Sequence, residues 1–279
     1  MNAPRTTEHR HPAPGPIDLY VEVTDGAVRV TTTTTDETSV RVTGHDADAV
    51  HLELGAEQVS LIGPRRRAGF LTGDRSLVVE VEAPTDSRVV VRTGSADVTL
   101  TGRVGRTQLR TGSGDVRVEE LGGPATVETG SGTVVVGEAG GELRVKSGSG
   151  EVRVGHAAAA LAVSTGSGTV VVDSNDGPVA VKTGSGDLVV TEARTDVSLA
   201  TGSGDLRIGS ALRGRVTAKG ASGDVRIGVP DGTPVWTDIT SVAGSVRAEV
   251  PSTGAPEPGQ DHVEVRARTV SGDVLLAPA

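Results

Sequence analysis

Thr111-Gly-Ser-Gly-Asp-Val-Arg-Val-Glu-Glu-Leu-Gly-Gly-Pro-Ala-Thr-Val-Glu128 is one turn of a repeat whose reading decides the fold. Its opening tetrapeptide, Thr-Gly-Ser-Gly, begins at Thr111, Thr129, Thr165, Thr183 and Thr201. A Ser-Gly-Ser-Gly variant at Ser147 fills the gap, and Thr93-Gly94-Ser95-Ala96 leads in, so the interval stays at 18 residues. A fixed period without drift means one structural unit stacked on copies of itself.

With the quoted stretch numbered 1 to 18, position 6 is Val98, Val116, Val134, Val152, Val170, Leu188 and Leu206 in successive coils. Position 8 is Leu100, Val118, Val136, Val154, Val172, Val190 and Ile208, while position 7 between them is mostly Arg or Val. Alternation at period two puts positions 6 and 8 on one face of a half-buried strand. A second strand carries Leu109, Val127, Val145, Val163, Val181 and Leu199 at position 17, with Leu143, Leu161, Val179 and Val197 among the residues at 15. Arg110, Glu128, Arg144, Lys146 and Lys182 lie on its outward side.

Continued past position 17, the same alternation turns the Thr and Ser of the tetrapeptide inward and leaves the bend to glycine. The corner glycines are Gly112 and Gly114, Gly130 and Gly132, Gly148 and Gly150, Gly166 and Gly168, Gly184 and Gly186, Gly202 and Gly204. The expected reason for glycine at position 4 is a positive φ, which costs it nothing. Positions 9–14 vary from coil to coil and read as a surface turn. Two main strands per 18 residues, stacked in register, make an all-β parallel β-solenoid, a single-stranded β-helix with a narrow core.

The repeat degrades on both sides. Downstream the intervals lengthen through Gly220-Ala-Ser-Gly-Asp-Val-Arg-Ile227 to Thr269-Val-Ser-Gly-Asp-Val-Leu-Leu276, with Pro- and Gly-rich turns between. Upstream, Thr24 to Val30 followed by Ser39 to Gly44 reads as one eroded coil, and Leu77 to Pro84 followed by Arg88 to Gly94 as another. The expected organisation is a disordered tail over 1–16 and one solenoid domain over 17–279. Within it, 17–92 are degenerate coils, 93–219 regular repeats and 220–279 irregular coils.

Composition agrees with strands and tight turns. The 279 residues hold 39 glycines but only Tyr20, Phe70 and Trp236 as aromatics, and the apolar content is mostly valine. The formal net charge of −9 argues against wholesale nucleic-acid binding. Without cysteine, there are neither disulfides nor thiolate metal sites. The chain as written opens without the apolar run of a signal peptide, and no stretch approaches the ~18–20 apolar residues of a membrane helix. The expected setting is therefore the cytoplasm, with no membrane partner.

Asp25-Gly-Ala-Val-Arg-Val30, then Val81-Glu-Ala-Pro84, then repeated Thr-Gly-Ser-Gly-Asp-Val-Arg-Val units resemble the bacterial adhesin-like β-strand-repeat family of unknown function. The resemblance runs from Ile17 onward. It implies a β-helical fold and, by name, adhesion; it brings no catalytic motif.

The repeat also bears on several chemistries. A calcium-stabilised β-roll also closes a coil in about 18 residues, but it cages the ion with two Gly-Gly-x-Gly-x-Asp motifs per coil. Here Asp115, Asp187, Asp205, Asp224 and Asp273 follow the corner glycine, while Thr133, Glu151 and Thr169 interrupt them. That pattern favours an outward turn residue facing the Arg at position 7. A phosphate cradle lacks both the lysine motif and the following helix. A carbohydrate-active β-helix enzyme would use a carboxylate pair such as Asp187 and Asp205, one coil apart. His45, Asp46, Asp48 and His51 crowd one loop, as a metal site or a polar connection. Arg65, Arg66 and Arg67 form a basic loop that could contact an acidic partner. A threonine rank binding ice or a flat polymer would need Thr outward, against the alternation.

The reading that remains is a non-enzymatic, adhesin-like interaction or scaffold module without cofactor, whose partner is a protein or polymer surface met along a sheet face or at an end. The region around Trp236 and Val242–Val250 is the expected cap. The coil through Leu275-Leu276 is the expected contact for end-to-end self-association.

Overall fold

Valine at alternate positions, glycine at every corner and almost no aromatic bulk leave the chain one way to bury apolar surface: thin sheets face to face. The structure, a computed structural model, describes residues 4–64, 76–250 and 260–279. It forms two compact units, Met1–Gly141 and Glu142–Ala279, and each is a two-sheet parallel β-solenoid.

The first unit contains β1 (Arg5–Pro12), β2 (Asp18–Val23), β3 (Gly26–Thr33), β4 (Glu37–Gly44), β5 (His51–Leu54), β6 (Gln58–Ile62), β7 (Leu77–Pro84), β8 (Arg88–Thr93), β9 (Asp97–Val104), β10 (Thr107–Thr111), β11 (Val116–Leu121), β12 (Ala125–Thr129) and β13 (Val134–Ala139). One sheet runs β1-β4-β7-β3-β9-β11-β13, the other β5-β6-β2-β8-β10-β12. The second unit contains β14 (Leu143–Ser147), β15 (Val152–Ala157), β16 (Leu161–Thr165), β17 (Val170–Asn175), β18 (Val179–Thr183), β19 (Leu188–Ala193), β20 (Val197–Thr201), β21 (Leu206–Ala211), β22 (Gly214–Lys219), β23 (Val225–Val229), β24 (Val235–Ser241), β25 (Val246–Ala248), β26 (Val263–Thr269) and β27 (Val274–Pro278). Its sheets run β15-β17-β19-β21-β23-β27-β25 and β14-β16-β18-β20-β22-β26-β24.

In the regular coils each residue pairs with the one a full period later, as Val170 does with Leu188 and Val179 with Val197. The inward set is the expected one: Val116, Val118, Leu109 and Val127 in the first unit are buried, as are Val170, Val172, Val179 and Val181 in the second. A further inward rank lies at position 11, with Leu121 and Ala139 in one unit and Ala157, Asn175, Ala193 and Ala211 in the other. The sequence places that rank in the variable turn, because its mostly small residues carry little apolar signal. The first strand of each coil therefore runs to position 11.

The ends of the sequence depart from simple stacking. Residues 5–12, expected in a disordered tail, form β1, paired antiparallel to β4 along its whole length from Arg5 opposite Gly44 to Pro12 opposite Glu37. Sequence alternation is weak there because the strand is nearly all exposed, and its order comes from the ladder. Nor do Thr24–Val30 and Ser39–Gly44 make one coil. Both β3 and β4 lie in the same sheet with β7 between them, β7 parallel to β3 and antiparallel to β4. Nor do β7 and β8 make the second expected coil: β7 pairs with β3 and β4 and β8 with β2 and β10, so the β2–β3 pair lies between their levels.

Each unit also contains an inserted coil. The β2–β3 coil sits between the β6–β7 coil and the β8–β9 coil. The β26–β27 coil sits between β22–β23 on one side and β24–β25 on the other. Leu275 and Leu276, expected at an exposed end, thus lie in an interior strand, and Leu276 is fully buried. The outermost coil of the second unit is β24–β25, the segment expected to be the cap.

Candidate functional site

The repeated corner is built from three backbone-directed contacts. The first is the hydroxyl at position 1, which turns inward as expected and accepts the N–H of the glycine at position 4. These bonds measure 2.9 Å from Gly114 to Thr111, 2.9 Å from Gly150 to Ser147, 3.1 Å from Gly168 to Thr165 and 2.9 Å from Gly204 to Thr201. The serine at position 3 does not turn inward: Ser113, Ser131, Ser167, Ser185 and Ser203 are exposed. The strand ends at position 1, so alternation stops there and the hydroxyl-capped turn takes over.

The second contact explains the glycines. None of the corner glycines has a positive φ. What excludes a side chain is the neighbouring coil: a Cβ on Gly168 would sit 2.1 Å from the Gly150 carbonyl oxygen, and one on Gly204 would sit 1.9 Å from that of Gly186. At position 2 the same approach is 2.5 Å from Gly166 to the Gly148 oxygen and 2.6 Å from Gly202 to the Gly184 oxygen. Glycine is required by stacking distance, not by dihedral angle.

The third contact is an aspartate ladder, which the sequence reading took for outward turn residues only. Asp97 Oδ1 accepts the Asp115 N–H at 2.9 Å, and Asp115 Oδ1 accepts that of Thr133 at 2.9 Å. In the second unit the ladder runs from Asp187 to Asp205, Asp224, Asp273 and finally Ser245, with bonds of 2.8, 2.9, 2.9 and 2.7 Å. The other carboxylate oxygen turns to the arginine at position 7, as from Asp205 to Arg207 at 3.0 Å. The recurrence of Asp at position 5 was the available signal. These carboxylates hold coils together, and Asp187 and Asp205 are linked through backbone rather than held as a free acid–base pair.

The remaining sequence candidates scatter. Asp48 pairs with Arg5, and His51 meets Glu53 at 3.0 Å on an exposed strand. No three His, Asp or Glu side chains converge to hold a metal among the described residues. Arg65, Arg66 and Arg67 lie outside the described residues. No described helix is long and apolar enough to cross a membrane.

One cluster is hidden in the linear sequence because His156 stands a full period from Ser174 and Asp176 a full period from Arg194. His156 Nδ1 lies 2.9 Å from Ser174 Oγ, and its Nε2 lies 3.4 Å from Asp176 Oδ2. Asp176 also faces Arg194 at 3.4 Å. The order resembles nucleophile, base and acid, but Ser174 stands in register with His156 on one side and Glu192 on the other. The ladder flanks Ser174 on both sides, and Arg194 is already shared between Asp176 and Glu192 rather than offered to an oxyanion.

The outer coil differs in kind. Strand β24 pairs only with β26 and β25 only with β27, and no strand lies beyond either among the described residues. Among its inward residues Val246 is 49 % exposed and Thr237 and Ala248 are exposed, whereas Val274, in register with Val246, is buried; Trp236, 48 % exposed, lies on the outward face and Val242, 76 % exposed, at the corner. The apolar interior is therefore open at this coil. Its corner keeps the common design: Ser241 Oγ accepts the Gly244 N–H at 2.9 Å. On the outward face Arg266 lies 5.7 Å from the Trp236 ring centroid and donates to Glu264 at 2.6 Å. Arg215, with Arg266 beside it, holds the Glu264 carboxyl below the usual carboxylate range.

A family model described as Toastrack DUF4097 matches residues 17–277, the whole stacked region from β2 into β27. The chain belongs to the Toastrack DUF4097 family. No curated protein matches it. Solved structures similar to this Toastrack chain include a "putative adhesin" from Parabacteroides distasonis, at 13 % identity and TM-score 0.38, covering 98 % of this chain and 97 % of that one. A "putative lipid binding protein" from the same organism is 14 % identical with TM-score 0.36, covering 99 % and 95 %. A "putative cell adhesion protein" from Clostridium sporogenes is 10 % identical with TM-score 0.25, covering 99 % and 100 %.

Proposed function

We propose that this chain is a non-enzymatic, adhesin-like interaction or scaffold module that binds protein or polymer surfaces through its outward ranks and its open coil. One observation carries the reading. The polar groups of the repeat are spent on coil-to-coil bonds, while exposed apolar area gathers at β24–β25. Exposed apolar residues on an unpaired outer coil mark an interaction site. Lone carboxylates and hydroxyls that serve their own backbone have little to offer a reaction.

The test is retention of a partner without turnover. Immobilised protein should hold a defined protein or polymer from native cell fractions, and Trp236→Asp should release it. Depolymerisation of a polysaccharide by the wild type, lost in Asp187→Asn, would overturn the non-enzymatic reading in favour of a β-helix hydrolase or lyase.

A further inference from the structure

We infer that two copies of this chain close on each other through their β24–β25 coils, across a two-fold axis passing through Ile239 and Ala248. The inference deepens the interaction reading by naming one partner, a second copy.

A coil whose inner face is uncovered is best covered by another of the same cross-section. The first unit does not offer one: its outer strand β1 is antiparallel and carries Arg5, Glu8, His9, Arg10 and His11. Head-to-tail growth therefore has no matching surface, whereas a two-fold contact needs only one surface that complements itself.

The sequence of the outer coil meets that condition. The corner from Ser241 to Ser245 folds β24 back onto β25. Inward residues equally far from it, Ile239 and Ala248, then face each other across the coil. A two-fold axis through both makes each new ladder antiparallel and keeps inward residues opposite inward ones. In sheet β24 it sets Trp236 against the partner's Val242, both largely exposed, and Asp238 against the partner's Thr240. In sheet β25 it sets Arg247 against the partner's Glu249, twice by symmetry, with Ala248 against its own copy. Shifting the axis by one inward step toward the corner, to Ser241 and Val246, sets Arg247 against the partner's Ser245 and loses both ion pairs. Charge complementarity thus selects the register, and it selects this chain as its own partner.

The chain has no cysteine, so a single introduced thiol reports the axis. On mild oxidation Ala248→Cys should give a disulfide-linked dimer, because directly opposed strand residues stand within bridging distance. Arg117→Cys, also exposed but on the first unit, should not. Light scattering of the full chain should give twice the monomer mass. Arg247→Glu should raise the dissociation constant by about tenfold or more, and Arg247→Glu/Glu249→Arg should restore it. Val242→Asp, at a largely exposed corner, should weaken the dimer while leaving the melting temperature of dilute, monomeric protein unchanged. A strict monomer at high concentration overturns the inference, as does mass that grows without limit, or a dimer indifferent to Arg247→Glu and Val242→Asp. A monomer that still retains a protein or polymer sinks only the dimer; a dimer that retains nothing sinks only the broader reading.

Discussion

The outer strands of the two units are finished in opposite ways. In the first unit β4 and then β1 turn antiparallel, and the edge is lined by Arg5, Glu8, Arg10 and Arg41 with ion pairs such as Arg41 to Glu8 at 3.0 Å. Val40, one strand in from that edge, is completely buried. In the second unit the coil carrying the chain terminus slips inside, and β24–β25 stay parallel with their core residues half bare. Charged, antiparallel closure is how sheets avoid unwanted pairing; an open parallel coil invites it. The contrast teaches that two units built from the same coil can protect their outer strands in different ways, one by charge and antiparallel pairing and the other by neither.

The largest effect should come from placing a charge behind each edge. Val40→Asp buries a carboxylate with no partner and should cost about 4 kcal/mol or more, whereas Val246→Asp should cost less than about 1 kcal/mol in the isolated monomer. Urea unfolding measures both. Equal losses would mean that β25 is covered and the contrast false.

A glycine pair gives a smaller difference. Gly26 has φ +112° and a Cβ there would lie 2.0 Å from the Leu77 oxygen, while Gly232, before β24, has φ +79° and open space around it. Gly26→Ala should cost about 3 kcal/mol through clash and dihedral together. Gly232→Ala carries the dihedral alone, about 1 kcal/mol. Similar melting temperatures for the two variants would show that the loop before the open coil is as tightly packed as the β3–β7 contact inside the first unit.

The smallest effect is a response to pH and salt. Arg41, then Arg10, holds the Glu8 carboxyl below its usual value, and the Ser245 backbone N–H does the same for Asp273. A depressed folded pKa gives stability that is present above the unfolded value and lost as pH falls through the folded one. Both edges should therefore fray below the ordinary carboxylate range, read as faster amide exchange in β1 and β25. Added salt should loosen β1 at neutral pH, since exposed ion pairs are screened, and should leave the Ser245 amide protected. Matching salt responses would break the distinction between an edge held by charge and one held by backbone bonds.

Much of the regular region was legible because the 18-residue period and the two-residue alternation agree on the same inward residues. Val170, Val172, Val179 and Val181 are where the pattern puts them. Position 11 was missed because Ala and Asn give no apolar signal, and Ser at position 3 was misplaced because alternation was carried past the end of a strand. The open coil was half legible: the Trp236 region was read as the cap, but nothing in a linear string says that β27 inserts between β23 and β25.

The sequence by itself determined the coil: which residues face in, where the corners fall, and that copies must stack because one coil buries too little apolar surface to stand alone. Only the tertiary structure decided why the corner residues are what they are and in what order the outer coils lie. Glycine at positions 2 and 4 answers to a carbonyl one coil away, and Asp at position 5 to an amide one coil away. Those distances exist only once the coils are stacked. Strand order at the edges is likewise settled by which ladder forms, a long-range choice that local propensity does not encode.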